Sequence, residues 1–137
     1  MAITSSNLTN FAPGLYNITA IYQETQNYFS SSETWWVNVT EGPDTQGPEI
    51  TIYNPNSVIY YTNEGLSLNY VVSDNSGVDS CWYSLNNGEN ITISGCQNTT
   101  FNVSGEGSYT LRLFANDSLG NEALVIINFN VDLTKLL

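Results

Sequence analysis

Apolar residues in this chain never recur at helical spacing over a dozen positions. They alternate with polar ones in runs of four to eight, cut off by Gly, Asn, Asp, Pro and Ser. A period of two belongs to a strand with one wet face and one buried face, so the chain is all-β. The runs in its later part are 49–53, 58–62, 66–73, 79–85, 91–94, 99–103, 108–116 and 122–131. Seven or eight short strands in fewer than about 90 residues make a two-sheet sandwich. In the run after Gly107, parity sets Tyr109, Leu111, Leu113 and Ala115 on one face and Thr110, Arg112 and Asn116 on the other. The first set is expected inside, with Phe101 and Val103. Trp82 falls on the opposite parity from Cys81, Tyr83 and Leu85, and the pattern leaves it between core and sheet surface.

The first 40 residues reproduce the pattern of the chain's last strands. Pro13-Gly14-Leu15-Tyr16-Asn17-Ile18-Thr19-Ala20 aligns with Glu106-Gly107-Ser108-Tyr109-Thr110-Leu111-Arg112-Leu113, and Val37 and Val39 align with Phe129 and Val131. The period is about 92 residues, one sandwich per repeat. Residues 1–40 therefore read as the last strands of a first repeat. Residues 41–48 are a linker punctuated by Pro43, Pro48, Gly42 and Gly47, residues 49–132 a whole domain and 133–137 a tail. Half a sandwich has an uncovered inner face and an open edge; of a second-domain cover, a longer chain and a neighbouring subunit, the last two are expected, because the Gly-Pro linker gives the segment its own boundary.

Polarity here is uncharged: 11% of residues are charged, against about 25% in ordinary domains, and Asn, Ser and Thr take their place. With 13 acids and two cations, Arg112 and Lys135, the net charge is -11. Such a chain cannot neutralise a polyanion, which rules out nucleic acid as a partner. There is no His, so Ser/His/Asp and Cys/His catalysis are absent. No apolar run approaches the roughly 18 residues of a membrane span, and the first ten residues lack the pattern of a secretion signal. Export would therefore use a leader already removed or lying ahead of this sequence. Paired carboxylates remain the one catalytic chemistry open to the chain, and nothing in the sequence places two of them in a cleft; no enzyme is expected.

Gly14-Leu15-Tyr16-Asn17-Ile18-Thr19-Ala20-Ile21-Tyr22, continued by Trp36-Val37-Asn38-Val39, resembles the closing strands of bacterial and archaeal immunoglobulin-like repeats. Ser73-Asp74-Asn75-Ser76-Gly77-Val78-Asp79-Ser80-Cys81-Trp82-Tyr83-Ser84-Leu85-Asn86 and Ala115-Asn116-Asp117-Ser118-Leu119-Gly120-Asn121 are similar to the same class, especially to modules of archaeal surface proteins. The resemblance implies an immunoglobulin-like (Greek-key) β-sandwich in tandem repeat, with the first copy incomplete. It also implies an extracellular or cell-surface setting and no catalytic residues.

Cys81 and Cys96 flank the turn Asn86-Asn87-Gly88-Glu89. A hairpin centred on Gly88-Glu89 sets the two directly opposite, which predicts a cross-strand disulfide; a turn on Asn87-Gly88 shifts the register by one and needs a bulge to restore it. Two cysteines without His are a poor zinc site. Asn-x-Ser/Thr glycosylation patterns stand at Asn7, Asn17, Asn38, Asn90, Asn98, Asn102 and Asn116. Chance gives about four from 19 Asn and a Ser/Thr share of 29 in 137, so the outward strand parity of Asn17, Asn38, Asn102 and Asn116 weighs more than the number. Asp74 and Asp79, Asp117 with Asn121, and the linker acids Glu41 and Asp44 invite calcium, which takes six to eight oxygens. The same loops are ordinary turn chemistry, so no cofactor is expected beyond that possible calcium. The pairs Trp35-Trp36 and Tyr60-Tyr61 each offer one ring to each face, which core packing with scattered surface aromatics explains better than a sugar platform does. The leading expectation is a spacer, stalk, coat or filament subunit whose partners are copies of itself or adjacent repeats. The alternative is an adhesion or carbohydrate-binding module using exposed aromatics and acidic loops.

Overall fold

The computed structural model describes residues 11–134; the glycosylation candidate Asn7 and the end of the expected tail lie outside the described residues. The chain divides into two units between Pro43 and Asp44.

In the first unit, β1 (Gly14–Tyr22) and β2 (Ser31–Val39) form an antiparallel two-stranded sheet. Alternation sends Tyr16, Ile18, Ala20, Trp35, Val37 and Val39 to one face. Asn17, Thr19, Trp36 and Asn38 go to the other, with Thr19 and Thr34 sharing a hydroxyl hydrogen bond of 2.7 Å.

The second unit is the sandwich. Its strands are β3 (Glu49–Asn54), β4 (Ile59–Tyr60), β5 (Leu66–Ser73), β6 (Val78–Leu85), β7 (Ile91–Ile93), β8 (Thr99–Phe101), β9 (Gly107–Asp117) and β10 (Glu122–Val131). One sheet runs β3-β5-β8, the other β4-β10-β9-β6-β7. After β3 the chain passes a cis Asn54–Pro55 peptide and changes sheet, so that β4 lies parallel to β10. The sequence runs and the observed strands coincide to within a few residues, because each run stops at a residue with a positive φ or a tight turn, such as Gly65, Gly77, Asn86, Gly107 and Gly120.

Leu66, Leu68 and Tyr70 of β5 face Tyr109, Leu111, Leu113 and Ala115 of β9 in one core, closed by Cys81, Tyr83, Ile93, Phe101, Val103, Phe129 and Val131. A string of rings runs through it: Tyr60 edge-on to Phe129, Phe129 edge-on to Phe101, and Phe101 tilted against Tyr83, with centroids 5.7, 5.8 and 6.0 Å apart. Trp82 belongs to the outer surface, where its ring stacks on Phe114 at 5.5 Å. Of the stretch 41–48, residues 44–48 are part of the sandwich: Pro48 is buried, and a Cβ at Gly47 would lie 2.5 Å from the backbone carbonyl of Glu122. Pro and Gly stop a strand there without stopping the chain from packing.

The disulfide joins Cys81 to Cys96, with Cα atoms 5.2 Å apart. It is not the directly opposed pair expected from a turn centred on Gly88-Glu89. The turn falls on Asn86-Asn87, both at positive φ, with Gly88 N–H donating to Leu85 O at 2.8 Å. The strand register sets Ile93, not Cys96, across from Cys81, one residue beyond the Thr92 that a two-residue turn on Asn86-Asn87 alone would oppose. Cys96 lies beyond β7 in the 3-10 turn Ser94–Cys96, where Gly95 and Cys96 both take positive φ and bring the Cys96 sulfur back to Cys81.

Two predictions test these contacts by thermal and denaturant unfolding. Replacing Cys81 by Ala together with Cys96 by Ser costs about 3 kcal/mol, the value of a closed loop of this size. Gly47→Ala costs about 1–3 kcal/mol, because the clash is with backbone and not with a flexible side chain.

Candidate functional site

Two places gather features that packing alone does not use up. The first is acidic. At one end of the sandwich the entry segment meets the loops between β5 and β6 and between β9 and β10. In the first loop, Asp74 Oδ1 accepts from the N–H and hydroxyl of Ser76 at 2.8 and 2.6 Å, and the chain turns at Gly77. In the second, Asp117 Oδ1 accepts from the N–H groups of Leu119 and Asn121 at 2.9 and 2.8 Å, and Oδ2 accepts from Asn121 Nδ2 at 2.8 Å. Ser118 ties the loops together, its hydroxyl on Ser76 O and its N–H on Gly77 O. Asn121 Nδ2 also donates to Asp44 O at 3.1 Å, which holds the entry segment to both loops.

The result is that carboxylate oxygens of Asp44, Asp74 and Asp117 lie within 4.8 Å of one another. Asp44 and Asp74 border a cleft of about 250 Å³ lined also by Gln46, Gly47, Glu49 and Asn75, and Asp117 lies buried behind it. Of the six metal candidates from the sequence, Asp44, Asp74, Asp117 and Asn121 come together here. Asp79 does not. It is the extra residue of a bulge, since Val78 pairs with Asp117 and Ser80 with Asn116, and it lines a separate hollow beside Gly95 and Cys96. Glu41 lies in the other unit. An all-oxygen donor set with three carboxylates suits a hard cation such as calcium by charge and ligand type.

Asp117 is 1% exposed. Burial alone raises its pKa, but hydrogen bonds from the Asn121 side chain and backbone, Ser76 and Leu119 outweigh it and hold the carboxyl below its ordinary value. A depressed folded-state pKa contributes stability that is present above the unfolded value of about 3.9 and lost as pH falls through the folded one. Asp117→Asn therefore destabilises the protein at neutral pH, since its amide would confront the Asn121 amide, donor against donor. It also flattens the loss of stability below about pH 4, read from urea midpoints between pH 7 and 2.

The second place is the apolar face of β1–β2. Ile18, Trp35 and Val37 are 55%, 47% and 40% exposed. Their counterparts in the sandwich, by the repeat alignment, are Leu111, Ile127 and Phe129; Leu111 and Phe129 are 0% and 2% exposed and Ile127 is half-buried. The equivalence extends to geometry. Gly14 pairs with Val39, Tyr16 with Val37 and Ile18 with Trp35, just as Gly107 pairs with Val131, Tyr109 with Phe129 and Leu111 with Ile127. The Tyr16 hydroxyl donates to Ala12 O at 2.7 Å, and the Tyr109 hydroxyl donates to Gly105 O at 2.8 Å, four residues back in each case. This tyrosine corner marks the start of the penultimate strand in immunoglobulin-like sandwiches. No local sequence signal flags it, because the anchor is a carbonyl, which every residue has.

The remaining candidates are spread over both units. Asn17 and Asn38 share the face of the hairpin opposite the apolar one, next to Trp36. Asn90, Asn98 and Asn102 are exposed and Asn116 is half-buried. Three of them hold backbone: Asn98 Oδ1 accepts from Tyr70 N–H, Asn102 Oδ1 from Gly65 N–H and Asn116 Oδ1 from Ser80 N–H, at 3.0, 2.8 and 3.0 Å. Sequence reasoning assigned these asparagines to the surface alone; each one's partner lies 28 to 37 residues away. Tyr60 packs inward and Tyr61 outward, as parity requires, whereas Trp35 and Trp36 are both exposed.

The fold is an immunoglobulin-like β-sandwich. A structure of the fibronectin(III)-like modules of CbhA from Clostridium thermocellum matches it with a TM-score of 0.54 at 19% identity, over 91% of this chain. The chain spans about two-thirds (66%) of that structure's length. No family model and no curated protein matches the sequence.

Proposed function

We propose that this chain is a non-catalytic segment of tandem immunoglobulin-like modules in an extracellular surface protein, of the bacterial and archaeal repeat kind, serving as spacer, stalk, coat or filament subunit. One observation carries the reading: the same hairpin, with the same register and the same tyrosine anchor, occurs at Tyr16 and at Tyr109. A duplicated closing hairpin is the mark of an array of modules. The disulfide supports an oxidising compartment, and the -11 charge disfavours nonspecific clumping. Among the described residues no helix is long and apolar enough to cross a membrane.

Glycosylation at exposed patterns belongs to this proposal. A glycan joins Nδ2 and leaves Oδ1 as an acceptor, so Asn98 and Asn102 can carry one and keep their backbone partners. Protein isolated from its source is expected to lose mass on deglycosylation at two sites or more, counted by intact mass.

Calcium at Asp44, Asp74 and Asp117 is also part of it. An ion there would bind the entry segment to the two loops, which suits a module that sits in a chain of modules. Millimolar calcium is expected to raise the thermal midpoint of the wild type and to leave that of Asp74→Asn unchanged.

A second reading, glycan recognition, draws on Trp36, which is 66% exposed beside Asn17. A glycan array separates the two. The spacer reading expects no specific binding, and millimolar-or-better binding abolished by Trp36→Ala would replace it.

A further inference from the structure

The face of β1–β2 has an answer to what covers it, because the second unit shows the same face covered. There, the residues equivalent to Tyr16, Ile18, Ala20 and Val37 are Tyr109, Leu111, Leu113 and Phe129, all buried. What buries them is the sheet β3-β5-β8, through Leu66, Leu68, Tyr70 and Phe101. Beside them, β9 pairs on its other edge with β6, and β10 on its other edge with β4. In the hairpin, by contrast, β1 and β2 pair only with each other among the described residues. The hairpin thus lacks one facing sheet and two edge partners, and the sandwich specifies the form of each.

Besides the second unit, which the exchange experiment below tests, three sources could supply them. The ten residues ahead of Phe11 are too few, since β3 to β8 take residues 49 to 101. A second copy of this chain, stacking hairpin on hairpin, buries too little. Two nine-residue strands about 4.8 Å apart present a face of roughly 30 by 10 Å, so a pair of faces buries about 600 Å², half the lower bound of about 1,200 Å² for a stable interface. A segment of the same polypeptide needs no such area, because linkage removes the translational cost of association.

We propose that the face carrying Tyr16, Ile18, Ala20, Trp35, Val37 and Val39 is the seat of a half-sandwich of the β3-β5-β8 kind, with an edge strand of the β6 kind beside β1. Both are supplied by polypeptide leading into residue 11 from the N-terminal side of a longer chain. This partner presupposes tandem modules, the reading proposed above. The opposite face, with Asn17, Trp36 and Asn38, then remains in water. Both glycosylation patterns of the hairpin lie on that face, and neither lies on the face to be covered.

The test has two arms. In the 137-residue protein, β1–β2 amides are expected to exchange at least about a hundredfold faster than those of β9, the protein to sediment as a monomer, and an apolar dye to bind and be lost with Trp35→Ser plus Val37→Ser. In the source cell, the polypeptide recognised by antibody to residues 49–132 is expected, once deglycosylated, to exceed 15.1 kDa by at least about 6 kDa, the mass of some 53 residues, with β1–β2 protected in that longer form. Slow exchange in a monomer of the 137-residue protein would overturn the proposal in favour of packing on the second unit. A dimer dispersed by Trp35→Ser would overturn it in favour of a second copy. A native polypeptide of 15.1 kDa would end it outright. Glycan binding through Trp36 removes the spacer reading and leaves these exchange and mass results as they stand, so the two failures are separable.

Discussion

The second unit depends on one strand. β9 places Tyr109, Leu111, Leu113, Ala115 and Asp117 at every second position, all buried, and it is flanked on both edges by partners in its own sheet. Burying each large side chain contributes about 1.5–3 kcal/mol, and a shift of one residue would turn the whole set to solvent. Register is therefore fixed by that alternation, and it sets the neighbours: β10 by ten consecutive pairings, β6 by its bulge at Asp79, β5 by facing it across the core. The last buried residue of the strand is a carboxylate. Asp117 continues the inward parity into the loop and there exchanges apolar contact for hydrogen bonds, so the strand that organises the core also organises the acidic end.

Most of that was legible in the sequence because it is local. The parity of 108–116 and the positions of the turns depend on residues a few places apart, and the pairing of Cys81 with Cys96 follows from there being two cysteines in the chain. What was not legible depends on distance. The register that sets Ile93 opposite Cys81 is decided by whether the turn falls on Asn86-Asn87 or one or two residues later, and Asn-Asn-Gly-Glu permits each. Asp44 joins Asp74 and Asp117 only after three separate segments have packed, and Pro and Gly at 42–48 give that segment the pattern of a tether. The asparagines at 98, 102 and 116 look like surface decoration until the backbone N–H groups they receive are in place. Trp82 shows the reverse case, a large aromatic whose outward parity was correct and whose size argued for the core.

The repeat in the first unit is the strongest instance of sequence and geometry agreeing. An offset of 92 to 93 residues read from matching letters reappears as matching cross-strand partners, Tyr16 with Val37 and Tyr109 with Phe129. The two hairpins share their pairing scheme and differ in what covers them. They differ also at their edges: β9 and β10 each have a further partner in their sheet, and β1 and β2 pair only with each other among the described residues.

The way the chain enters and leaves the sandwich bears on its mechanics. β4 lies close to the entry and β10 close to the exit, and they run parallel, joined by N–H groups of Asn130 and Asp132 on the carbonyls of Val58 and Tyr60. Tension applied between the two ends of the module acts along these strands in opposite directions. The bonds between them are then loaded together, in shear, and not opened one after another like a zipper. Resistance to pulling is a property of the unfolding rate and not of equilibrium stability, so a patch of only two paired residues can govern how a module behaves under load while adding little to its melting temperature.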